Sequence, residues 1–189
     1  LLIEKKCEMA RCIDSDADPY EILVQDYEPY LSLSSIEEVL VNLKDSLVPL
    51  IKRIREDGED IKETLDGDFG LQNQKYLSED VLNVIGYDWS RGRLDTSPHP
   101  FSMGNVFDAR ITTRFEERNF VEGLLSTIHE FGHALYTMSL PSEHYGTPLC
   151  GDMGMIIHES QSRFWENHIG KSLAFWEEIL PIIELRFPK

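Results

Sequence analysis

The sequence predicts a mainly α fold with a small β-sheet edge, and three observations predict it. Apolar residues recur at helical spacing in several separate stretches. Most of those stretches open on a capping residue or close on glycine. Only one segment, Val106 to Phe115, alternates and carries the β-branched residues Ile111, Thr112 and Thr113. With 189 residues and 41% apolar content, the chain is long enough to bury one sizeable core. It contains no repeats and no low-complexity tract.

Taken in order, residues 1–14 read as a short helix that ends at the acidic turn Asp14 to Pro19. A second short helix is expected near Tyr20 to Tyr30. Ser35, with Glu38 three residues on, forms a capping box for a stronger helix. In it Ile36, Val39, Leu40, Leu43, Leu47, Leu50, Ile51 and Ile54 follow at helical spacing, Pro49 is expected to kink it, and Gly58 closes it. Leu71 to Ile85 is another helix, capped by Gly86. From Asp88 to Pro100 the chain is turn-rich, and Val106 to Phe115 is the expected strand. Asn119, with Glu122, opens a helix that runs to about Leu140. A Pro/Gly loop follows, then helices over Met155 to Ile169 and Ser172 to about Arg186.

Composition narrows the function classes. The 34 acidic residues outweigh 18 basic ones, for a formal net charge of −16. A field of that sign repels phosphate backbones and anionic headgroups, so nucleic acid and membrane surfaces are not expected partners. No apolar run approaches the twenty or so residues of a membrane helix. Cys7, Cys12 and Cys150 are odd in number and without CxxC spacing, as in a reduced, cytoplasmic protein. The lysines near the N-terminus precede no long apolar segment, so no secretory signal is read there. The absent initiator methionine and the opening inside a helix lead us to expect a piece of something longer.

Chemistry concentrates in His129-Glu130-Phe131-Gly132-His133, an HExxH sequence inside a strong helical pattern. Four residues advance a helix by about 400°, so the two histidines project from nearly one face, a turn apart. That spacing suits two imidazoles on one tetrahedral cation, with Glu130 placed to deprotonate a metal-activated water. The ordinary alternative is an amphipathic helix whose histidines only fill a core or a surface. The metzincin extension is closed, because positions 136 and 139 hold Tyr and Ser. A third ligand must then come from a following helix. Glu159, twenty-six residues after His133, would complete a His₂Glu site with one open position. Asp152, His144, His158 and Glu166 are rivals by spacing alone. His158 also suits a hydrogen bond to a ligand or to substrate.

Four motifs stand in order: His99-Pro100-Phe101, Asp108-Ala109-Arg110-Ile111-Thr112, the HExxH segment, and His158-Glu159-Ser160-Gln161. Together they resemble the carboxypeptidase Taq family, thermostable metallocarboxypeptidases of the HExxH class. Gly146-Thr147-Pro148-Leu149 is similar to that family as well. The matched segments around these motifs run from Ser97 to Asn167, and a weaker likeness runs through most of the chain. The resemblance implies His129, His133 and Glu159 as metal ligands and Glu130 as general base and acid. It implies a zincin-like helical metallopeptidase core with a deep groove and a small sheet at its floor. It further implies release of single C-terminal residues from peptides with a free C-terminus, Zn2+ or Co2+ as cofactor, a cytoplasmic location and a homodimer.

On this reading residues 1–189 are one partial catalytic domain: peripheral helices over 1–86, the motif-bearing core over 87–170, and the start of a further helical region over 171–189. The strand around Asp108 to Thr113 is expected to pair with an extended substrate. His99, Asp108, Arg110, Thr112 and His158 are the candidates for substrate contact or for support of the ligands, and an Asp108–Arg110 ion pair or a structural turn at His99 is the plainer role for three of them. The family's C-terminal motifs, an Arg-containing segment and a GxxQDxHW-like segment, have no counterpart before Lys189. The group that holds the substrate carboxylate is therefore not assigned here. An HExxH endopeptidase or oligopeptidase, and a metal-binding fragment or subunit without turnover, are the other readings.

Overall fold

A computed structural model describes residues 1–58 and 67–188. They fall in two compact units, Leu1–Glu63 and Thr64–Lys189. The first unit holds α1 (Leu2–Ile13), α2 (Pro19–Val24) and α3 (Leu33–Asp57). Asp14 accepts the Asp16 N–H at 2.9 Å and so builds the acidic turn after α1. Asp18 caps α2 by accepting the Tyr20 N–H at 2.7 Å, with Pro19 in the first turn. That helix ends at Val24, well short of Tyr30, and Pro29 bars a helix from running on through Glu28 to Tyr30. For α3 the cap is Ser32, whose hydroxyl accepts the Ser35 N–H at 3.2 Å, one turn earlier than the box expected at Ser35 and Glu38. The helix continues through Pro49 to Asp57. Its apolar stripe stays largely exposed: among the described residues of this unit only Ala10 is buried.

The second unit is built around one helix. α4 (Leu71–Ile85) ends at Gly86, which takes the left-handed conformation (φ 88°) that glycine adopts without steric cost. Three short strands follow: β1 (Leu94–Thr96), β2 (Phe101–Asn105) and β3 (Asp108–Thr113). The sequence signals only β3. β1 is too short to show alternation, and β2 contains Gly104 and two further polar residues. The strand order is β1-β3-β2, with β1 parallel and β2 antiparallel to β3. Gly104 makes the β2–β3 hairpin possible, since a Cβ there would fall 2.0 Å from the Asp108 carbonyl oxygen.

α5 (Phe120–Met138) is capped as expected, the Asn119 side chain accepting the Glu122 N–H at 3.2 Å. One stripe of it, Phe131, Ala134 and Met138, packs against Ala109 and Ile111 of β3 and against Leu82 and Tyr87. Another, Leu124 and Ile128, meets Leu77 and Val81 of α4 and Phe175 and Ile179 of α7 (Leu173–Arg186). Arg186 of α7 also pairs with Asp80 of α4 at 2.6 Å. The single helix expected over Met155 to Ile169 divides. α6 (Met155–Arg163) is α-helical, and Phe164–Ile169 is a π-helical turn in which the Gly170 N–H reaches the Trp165 carbonyl at 2.7 Å.

Candidate metal centre

With two of its faces committed to cores, α5 leaves a third stripe for His129 and His133, and α6 packs beside it. Gly132 sets how close the two helices come. A Cβ on it would lie 2.7 Å from the Ser162 Cα and 2.9 Å from the Gln161 carbonyl oxygen. The approach brings Glu159 across from both histidines, with its Oε2 3.7 Å from His129 Nε2 and 3.3 Å from His133 Nε2. One donor atom from each of the three residues lies within 4.8 Å of the others, the one such trio among the described residues.

Of the rivals for third ligand, none joins this trio. His144 lies exposed in a short 3-10 turn, and Asp152 lines the cleft beside the site. His158 and Glu166 stand behind the histidines. Glu166 Oε2 accepts from His129 Nδ1 at 2.9 Å, and His133 Nδ1 and His158 Nδ1 are 2.6 Å apart. His158 Nε2 lies 3.4 Å from Thr137 Oγ1. Both ligand-type histidines thus have Nδ1 engaged and Nε2 turned toward Glu159, the arrangement in which a neutral imidazole presents a lone pair to a cation.

The electrostatics agree with that donor set. Burial, helped by the charges of His158 and His129, pushes the His133 imidazole down to about 4, so it is neutral at physiological pH. Burial pulls the Glu159 carboxyl upward, but the Arg163 hydrogen bond at 2.8 Å, His129 and the Ser162 hydroxyl outweigh it and hold it below its ordinary value. Two imidazoles and one carboxylate are a donor set that fits a divalent cation of the zinc type.

Glu130 differs. It is 7% exposed, and none of the described residues hydrogen-bonds its carboxylate. Burial raises its pKa against the opposing charge of His129, while Glu159 adds to the rise and His99 opposes it. It opens with His133, His158 and Glu159 onto a cleft of about 420 Å³, whose other wall includes Phe101 and Ser102 of β2. A second cavity of about 330 Å³ continues along Met103 to Val106 and shares Ser102, Asp152 and His158.

The strand bordering the cleft is therefore β2. The expectation that Asp108 to Thr113 offers its backbone to substrate is corrected, because β3 is paired on both sides. Asp108 and Arg110 form an exposed ion pair at 2.8 Å. Thr112 Oγ1 accepts the Phe101 N–H at 3.0 Å and lies 2.8 Å from Ser97 Oγ, fixing the entry into β2. His99 is exposed, with Nδ1 2.7 Å from the Pro100 carbonyl oxygen. Sequence reasoning missed the spacing role of Gly132 and read Glu166 only as a rival ligand.

The chain is similar to known proteins in sequence and in fold. A family profile described as carboxypeptidase Taq (M32) metallopeptidase matches residues 1–189. Thermostable carboxypeptidase 1 of Thermus thermophilus is 40% identical over 164 residues, which cover 86% of this chain and 32% of that protein. The protein of the same name from Pyrococcus furiosus is 38% identical over 188 residues, 95% of this chain and 37% of the relative. The chain thus spans about a third of the length of these relatives. Among solved structures, an M32 carboxypeptidase from Deinococcus radiodurans R1 superposes with a TM-score of 0.85 at 34% identity, covering 97% of this chain and 37% of that one. A Pyrococcus furiosus carboxypeptidase gives 0.82 at 36% identity, covering 98% and 38%.

Proposed function

Because the chain belongs to the carboxypeptidase Taq (M32) family of metallopeptidases, we propose that it carries the metal centre and general base of a metallocarboxypeptidase that releases single C-terminal amino acids from peptides. The observation that carries this reading is the convergence of His129, His133 and Glu159 beside a buried Glu130 without a hydrogen-bond partner among the described residues. His129, His133 and Glu159 hold one divalent cation, zinc or cobalt, both of which accept this donor set. When bound, the cation supplies Lewis acidity to the attacking water and to the scissile carbonyl.

The chain's own residues do the rest. Glu130 accepts the proton of the attacking water on its carboxylate and returns it to the leaving amine nitrogen as the C–N bond breaks. Its raised pKa brings the carboxyl closer to the pH at which both transfers run. The unpaired side of β2 pairs with the extended peptide backbone beside the cleft. His158 orients His133, and Thr112 fixes β2. His99 and the Asp108–Arg110 pair support that wall or contact substrate.

Peptides with a free C-terminus are the substrates, and the protein is cytoplasmic and homodimeric in its full form. The three cysteines, all unpaired, and the lack of any described helix long and apolar enough to cross a membrane accord with this location. Residues 87–170 are the metal-bearing core of a catalytic domain longer than this chain, which spans about a third of its relatives. Incubation of the cobalt- or zinc-loaded chain with an N-acetylated peptide, followed by mass spectrometry, tests the reading. A ladder losing one C-terminal residue at a time, absent in Glu130→Gln, supports the carboxypeptidase. Internal cleavage replaces it with an endopeptidase, and bound metal without cleavage reduces the chain to the metal-bearing core.

A further inference from the structure

We infer that Glu166 is a positioning residue of the metal centre: it fixes the ring of His129 from behind, and the π-helical turn Phe164–Ile169 delivers it there. The inference rests on the metal-centre reading above. Glu166 Oε2 lies 2.9 Å from His129 Nδ1, and the two side chains are only 15% and 17% exposed. Glu166 is itself held from other directions, by Lys171 Nζ at 3.0 Å on Oε1 and by Arg163 at 3.1 Å on Oε2. A carboxylate oxygen at that distance accepts from Nδ1, which leaves Nε2 as the ring nitrogen turned toward Glu159.

The π turn explains how one helix serves both sides of the same ring. Glu159, on α6, faces the Nε2 side of both histidines. Glu166 must face the Nδ1 side of His129 alone. A π turn closes its hydrogen bond over five residues rather than four, and so rotates side chains out of α register. Such turns are rare and recur at functional sites, where an unusual backbone persists because the surroundings require it. The two histidines also differ in support: His129 is backed by an anion, His133 by the imidazole of His158.

The plainer alternative is that Glu166 only anchors Lys171 and Arg163. Those partners are 48% and 55% exposed, and such pairs contribute little. Zinc affinity by competition with a chromophoric chelator, and the visible absorption of the cobalt-loaded chain, separate the two. Glu166→Ala is expected to weaken zinc binding about 10- to 100-fold and to change the cobalt spectrum. Glu166→Gln, which keeps the shape and an acceptor oxygen, is expected to recover part of that loss and serves if the alanine variant fails to fold. Lys171→Gln, which removes an ion pair but leaves His129 its partner, is expected to bind zinc like the wild type. Wild-type affinity and spectrum in both Glu166 variants would overturn the assignment, as would an equal loss in Lys171→Gln. Failure of the wild-type chain to take up zinc or cobalt would instead defeat the metal centre itself.

Discussion

In the proposed mechanism Glu130 is the residue on which the chemistry turns. Glu130 is 7% exposed overall, and its side chain opens onto the cleft that His133 and Glu159 also line. Its raised pKa follows chiefly from that burial. Glu130→Gln keeps the shape and removes the base, so peptide turnover should fall by about a hundred- to ten-thousandfold while zinc uptake is unchanged. Equal turnover in that variant would remove Glu130 from the mechanism. At this scale the sequence was informative where chemistry repeats at helical spacing: His129, Glu130 and His133 are legible from the HExxH pattern alone. Glu159 was one of five acidic or imidazole candidates, and only the packing of α6 on α5 separates it from Asp152, His144, His158 and Glu166. Glu166 escaped because the identity of an orienting group depends on which ring nitrogen it meets, and no spacing rule records that.

Among the elements, the α5–α6 contact carries the site. Gly132 is there because a methyl group would meet the Ser162 Cα at 2.7 Å, backbone that cannot swing aside. Gly132→Ala should cost about 1–3 kcal/mol of stability by overpacking and weaken zinc binding as α6 is pushed away with Glu159. A variant with native thermal midpoint and native affinity would show the contact to be looser than drawn. The junction of α4 with the sheet is anchored by Tyr87, whose hydroxyl donates to the Ala109 carbonyl at 2.8 Å. Burial pushes this phenol up to about 12 from 10.0, so the unfolded chain loses the proton first. The contribution is intact below pH 10 and is lost as pH rises from there toward 12. Denaturant midpoints across that window should fall less steeply in Tyr87→Phe than in the wild type. The long helices were legible because caps and apolar period agree, as at Asn119 and Gly86. β1 and β2 were not, since three and five residues rich in polar side chains become strands only by pairing with β3. The π turn was invisible for a related reason: Phe164–Ile169 has an ordinary helical composition, and its register is set by what Glu166 must reach.

The chain falls in two units, and among the described residues the candidate ligand trio lies in Thr64–Lys189. Zinc at a hundred times its dissociation constant should stabilise that unit by about 2.7 kcal/mol. Hydrogen exchange should slow in α5 and α6 on zinc addition and stay unchanged in α1, α2 and α3; slowing confined to the first unit would place the metal elsewhere. Fold class and family were legible across the chain because four motifs stand in order between 97 and 167. The group that recognises the substrate carboxylate was not, and the chain spans about a third of its relatives. X-ray absorption of the zinc-loaded chain reads the ligand set itself. The predicted result is one zinc per chain, with two imidazole nitrogens at about 2.0–2.1 Å, carboxylate oxygen at about 2.0–2.2 Å and no sulfur. Sulfur at about 2.3 Å, from Cys7, Cys12 or Cys150, or a zinc without imidazole ligands, would contradict it.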